Sequence, residues 1–67
     1  MTQYESKLLH YLQLENSKSG RCDFALADVL ANIGDFGGID MLKRAFDGLE
    51  TNGYVEKTQY IGVYHLC

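Results

Sequence analysis

Between Thr2 and Glu15 the apolar residues Tyr4, Leu8, Leu9, Tyr11, Leu12 and Leu14 recur mostly three and four positions apart, with Lys7, His10 and Gln13 between them. That period lays one apolar stripe along an α-helix, and Thr2 followed three residues on by Glu5 supplies a capping box to start it. A first helix is predicted to run to about Asn16, where the polar stretch Asn16-Ser17-Lys18-Ser19-Gly20 reads as a loop. Arg21-Cys22-Asp23-Phe24 leaves room for one short strand only. Helical spacing returns with Leu26, Val29, Leu30 and Ile33, so a second helix is predicted over 25–33, with Gly34 as its stop.

Adjacent glycines destabilise a helix interior by up to ~1 kcal/mol each, so Asp35-Phe36-Gly37-Gly38 is read as a turn. Ile39, Leu42, Ala45, Phe46 and Leu49 then form a second clear stripe, with Asp40, Lys43, Arg44, Asp47 and Glu50 on the other faces. The third helix is predicted from Ile39 to Thr51 and ends at Asn52-Gly53, glycine being the residue best able to take a left-handed conformation. After Gly53 the period falls from about 3.6 to 2. Aromatic and β-branched residues dominate from there, giving strands at 54–58 and 60–66 joined by a tight turn near Thr58-Gln59. The class is α+β, in one domain, without proline, repeat or linker. Tyr11, Phe24, Phe46 and Tyr54 fall at expected core positions. Tyr4, Tyr60 and Tyr64 are less determined, and together outside the core they would make a protein-contact patch.

This order of elements is that of the winged helix-turn-helix superfamily, in which three helices are closed by a short β-hairpin wing. The resemblance is strongest in the run Leu42-Lys43-Arg44-Ala45-Phe46-Asp47-Gly48-Leu49-Glu50-Thr51-Asn52-Gly53-Tyr54-Val55-Glu56-Lys57, which is similar to the recognition helix and first wing strand of bacterial or phage regulators. Leu26-Ala27-Asp28-Val29-Leu30-Ala31-Asn32-Ile33-Gly34 resembles their first helix-turn-helix element. Two features depart from the pattern. The segment between Ile33 and Leu42 is about two residues longer than the usual tight turn, and the wing carries a single cation, Lys57.

The resemblance implies a cytoplasmic, sequence-specific DNA-binding protein of transcription regulation, with helix 3 in the major groove of double-stranded DNA. Asp40, Lys43, Arg44 and Asp47 of that helix, with Lys57 of the wing, are the candidate DNA-binding residues. Arg44 is the best base reader, because a guanidinium pairs bidentately with guanine, and Lys43 suits a phosphate. Six Lys and Arg against nine Asp and Glu give a formal net charge of −3, which counts against strong non-specific binding to nucleic acid. DNA binding would therefore call for a homodimer or a larger complex that sums its contacts. The competing reading makes the five charges a solvated helix face with Asp40–Arg44 and Lys43–Asp47 pairs, worth a few tenths of a kcal/mol each. The chain is then a protein-interaction module, or an acidic inhibitor whose Asp35, Asp40, Asp47, Glu50 and Glu56 occupy a partner's nucleic-acid site.

Other chemistry is poorly represented. His10 and His65 form no metal-ligand spacing with Cys22 or Cys67, and a Cys22, His65 and Cys67 group falls one ligand short of a structural zinc site. No phosphate loop or catalytic constellation stands out, so neither an enzyme nor a cofactor is expected. The opening residues carry no signal-peptide pattern and no apolar run is long enough to span a membrane, so free thiols in the cytoplasm are expected ahead of a disulfide.

Overall fold

A computed structural model describes all 67 residues, Met1–Cys67. The elements in chain order are α1 Gln3–Ser19, β1 Asp23–Ala25, α2 Leu26–Asn32, α3 Ile39–Thr51, β2 Val55–Lys57 and β3 Val63–Leu66. Three helices pack with a three-stranded antiparallel sheet of order β1-β3-β2, an α+β domain as its sequence periods require. No helix is long and apolar enough to cross a membrane.

The expected capping box opens α1. Thr2 Oγ1 accepts from the Glu5 amide at 3.1 Å and Glu5 Oε1 accepts from the Thr2 amide at 3.2 Å, so two of the donors left free at a helix start are satisfied reciprocally. The helix runs one turn further than its apolar stripe indicates, through Ser17-Lys18-Ser19. Polar residues do not by themselves end a helix. The first residue that does so is Gly20, at φ 73, a conformation that costs other side chains steric strain. Asn16, inside the helix, donates from Nδ2 to the Arg21 carbonyl at 2.8 Å and leads the chain into β1.

The stripe of α3 is buried as its spacing requires at Leu42, Ala45, Phe46 and Leu49. Ile39, at the first residue of the helix, is 41% exposed and lies outside the core. Leu8 and Leu12 of α1, Phe24 of β1, Val29 of α2, Val55 of β2 and Tyr64 of β3 complete the centre. Leu26 and Leu30 of α2 and Ile33 at its C-terminal end pack against it while half-buried, which suits a two-turn helix lying at the margin. Tyr11 is likewise half-buried. Tyr54 is a correction to the expected core. It is exposed, because Val55 is the inward residue at the start of β2 and the neighbours of an inward strand residue point the other way.

Phe36 is the reverse case, a turn residue that is buried to 3%. The segment between α2 and α3 carries it onto α1, where its ring meets Tyr4 edge-on at 5.4 Å and the Lys7 ammonium at 5.6 Å. Lys7 Nζ also donates to the Asp35 carbonyl at 2.7 Å. The extra length of this connection thus holds one large apolar side chain in the core.

Candidate functional site

The outward face of α3 and the loop joining β2 to β3 border one another. Register explains how Lys57 comes to join them. Phe24 opposes Tyr64 and Tyr64 opposes Lys57 across the three strands, and directly opposed residues share a face of the sheet. Lys57 therefore leaves the sheet on the side covered by α3. Its ammonium reaches solvent beside that helix, 3.8 Å from the Glu50 carboxylate.

The connection between β2 and β3 spans Thr58–Gly62 rather than a two-residue turn at Thr58-Gln59. Thr58 organises it. The Thr58 hydroxyl accepts from the Tyr60 amide at 3.1 Å and donates to the Val63 carbonyl at 3.0 Å, and the Thr58 amide donates to that same carbonyl at 3.2 Å. Gly62 turns the chain back into β3 at φ 79, where an L side chain would be strained. Its carbonyl accepts the Leu26 amide at 2.8 Å. The start of α2, which has no side-chain cap, thereby acquires a partner from the hairpin loop. The loop so held presents Tyr60 at 64% exposure and Ile61 fully to solvent.

A cleft of ≈ 370 Å³ lies between this loop and the helices. Leu26, Val63 and Tyr64 give it apolar surface, Tyr60 and Ile61 belong to its loop side, and Lys43 and Lys57 are its only charged residues. In a chain of net charge −3, a concavity lined by two cations and no carboxylate is an exception to the average surface.

Asp40, Lys43, Arg44 and Asp47 are all exposed. The Asp40–Arg44 and Lys43–Asp47 pairs expected of a merely solvated face are not made. The ion pairs of the molecule are Arg21 with Glu15 and Asp28, Lys57 with Glu50, and His65 with Asp23. Lys43 and Arg44 have no carboxylate within 4.0 Å. Of the remaining cations, Lys18 at the end of α1 also has no carboxylate within 4.0 Å, whereas Arg21 and Lys7 are engaged. Arg21 is held by Asp28, whose hydrogen bond raises the guanidinium pKa further, and Lys7 is tied to the loop before α3. The structure thus brings Lys43 and Lys57 to one cleft, with Arg44 beside Lys43 in sequence. Asp40 and Asp47 line no part of it.

The tyrosine patch expected of an interaction surface does not form. Tyr64 is a core residue stacked on Phe46, Tyr4 packs on Phe36, and Tyr60 stands on the hairpin loop. The residues that sequence reasoning missed are Leu26, Ile61, Gly62 and Val63 at the cleft. A signal was present in Thr58 with Gly62 four residues later, since a hydroxyl able to cap a turn and a glycine able to reverse the chain bracket a longer loop. Cys22 and Cys67 are both exposed free thiols, while His65 bonds Asp23 at 2.8 Å, so these side chains do not converge as a group of ligands.

Compared with family models, curated proteins and solved structures, the chain gives no match.

Proposed function

We propose that the chain is a winged helix-turn-helix domain that binds double-stranded DNA through α3 and regulates transcription. The observation that carries this reading is the state of Lys43 and Arg44, adjacent exposed cations without a carboxylate partner on the outward face of α3, in a molecule whose Arg21 and Lys57 are paired with acids. An unpaired surface cation keeps its full electrostatic attraction for a phosphate or a guanine edge. In this reading Arg44 reads a base, Lys43 and Lys57 hold phosphates, and Asp40 and Asp47 set the direction of approach by repulsion. Element order and the β1-β3-β2 sheet are compatible with this superfamily.

The charges of Asp40, Lys43, Arg44 and Asp47 cancel, so one copy contributes few net contacts and two copies on adjacent half-sites supply the affinity. Fluorescence anisotropy with labelled genomic fragments at low salt tests the reading. Binding should weaken on raising salt with a slope of about −0.9 per phosphate neutralised, and Lys43→Ala should lower that slope by about one per protomer. Anisotropy that stays flat at every DNA concentration contradicts it.

A second reading, a winged helix that docks on a protein, is favoured by Ile61 and Tyr60. A fully exposed Ile61 beside a largely exposed Tyr60 on a hydrogen-bonded loop suits burial in a partner's pocket. It predicts that Ile61→Asp abolishes function while Lys43→Ala leaves it intact.

A further inference from the structure

We infer that the cleft between α3 and the hairpin loop is a binding site for a small aromatic or branched aliphatic carboxylate, and that a bound ligand opposes nucleic acid at α3. Its effect on DNA rests on the DNA-binding reading; the site itself does not.

Size, lining and rigidity argue for it together. The cleft's ≈ 370 Å³ lies within the range of about 300–1,000 Å³ typical of small-molecule sites. A phosphodiester track needs only cations at a surface. This concavity adds half-buried Leu26 and Val63 and the buried Tyr64 ring, a surface suited to an apolar body. Its charged groups are both ammonium, Lys43 and Lys57, against nine carboxylates in the whole chain, none of which lines it. A ligand with an apolar body and one carboxylate matches both properties, whereas a neutral apolar molecule or a bare anion matches one each.

The loop side of the cleft is already ordered. The Thr58 bonds to Tyr60 and Val63 and the Leu26 amide on the Gly62 carbonyl fix it before anything binds, so little conformational entropy remains to be lost. Ile61, otherwise fully exposed, gains a neighbour when the cleft is filled. Lys43 is the point of coupling, because an ammonium turned into the cleft toward a carboxylate is withdrawn from the face that meets phosphates. Lys57 would exchange its exposed pairing with Glu50, 3.8 Å away, for the ligand.

Titration of the full ¹⁵N-labelled chain with naphthalene-2-carboxylate tests the site. Naphthalene-2-carboxamide and inorganic phosphate serve as the apolar-only and charge-only probes. Saturable amide shifts confined to Leu26, Lys43 and the 57–64 segment are expected, with the carboxamide and phosphate each weaker by at least about tenfold. Lys43→Gln and Lys57→Gln, both at exposed positions, should each weaken the carboxylate, while Lys18→Gln leaves it unchanged. Equal binding of the carboxamide, equal binding of phosphate, or shifts scattered over the surface would each overturn the site. A DNA titration with and without saturating carboxylate then reads the coupling. DNA affinity that does not fall with a filled cleft overturns that part. Absence of any DNA binding removes the regulator reading and leaves the ligand titration to stand by itself.

Discussion

Phe46 of α3 and Tyr64 of β3 stack with ring centroids 4.3 Å apart and planes 12° from parallel. This contact seats the central strand of the sheet on the helix that carries Lys43 and Arg44, so the packing of the core fixes the relation between hairpin and helix. Aromatic pairs contribute about 0.5–1.5 kcal/mol beyond their buried area. A double-mutant cycle of Phe46→Leu and Tyr64→Leu, measured by urea denaturation, should return a coupling of that size. Additive losses would show that the rings pack as independent apolar bodies.

Tyr64 also links stability to alkaline pH. Burial raises its pKa above the ordinary 10.0, and the Asp47 and Glu50 carboxylates add to the effect. The unfolded chain ionises this phenol near 10.0 while the folded chain keeps its proton. The contribution is therefore complete below that pH and is lost as pH rises toward the folded value. Tyr64→Phe should leave a shallower fall in stability on the alkaline side, with no change in pH dependence at neutrality. Some fall persists from Tyr11, which burial raises in the same sense. Parallel denaturation curves of the two proteins across the alkaline range would contradict the assignment.

Gly48 marks the crossing of α1 and α3. A Cβ built there would overlap the Glu5 carboxylate, the same group that closes the capping box with Thr2. In the native background Gly48→Ala should gain little, because the helix-propensity benefit of up to ~1 kcal/mol is offset by displacing the cap, a loss of about 0.5–2 kcal/mol. After Glu5→Ala the same change should stabilise by the propensity term alone. Thermal denaturation of the four proteins decides it, and equal effects of Gly48→Ala in both backgrounds would be inconsistent with the clash.

Phe36→Ala should destabilise by about 3 kcal/mol, at the lower end for loss of a buried aromatic ring, since the ring's neighbours include the exposed Tyr4 side chain and the Lys7 ammonium over its face. In a domain of 67 residues that is a large share of the total. A loss near zero in urea denaturation would mean that the connection before α3 does not form part of the core.

The helices were legible because their signals are local. The stripe from Leu42 to Leu49 and the Thr2–Glu5 box each depend on residues within a turn or two, and α3 has the bounds its spacing predicts. Burial that depends on tertiary contact was not legible in the same way. Phe36 sits in a glycine-rich turn with no period, and only the docking of that turn on α1 buries it. Tyr54, just before β2, and Tyr64, within β3, are both aromatic residues of the predicted hairpin, and which of the two faces inward depends on how each strand docks on the helices. For the candidate site, the α3 charges could be read from the helix period. The cleft could not, since it joins Leu26, Lys43 and the Thr58–Gly62 loop through bonds such as that from the Leu26 amide to the Gly62 carbonyl.

The most direct measurement on the proposed role of α3 is a low-salt titration of the ¹⁵N-labelled protein with mixed genomic DNA fragments, repeated on Lys43→Ala and Arg44→Ala. Shifts should concentrate at the exposed positions of α3 and at Lys57. Arg44→Ala should weaken binding by about 1–3 kcal/mol at specific sequences, and Lys43→Ala more evenly across sequences. A spectrum unchanged at high DNA concentration, or shifts that spare α3, would contradict that role.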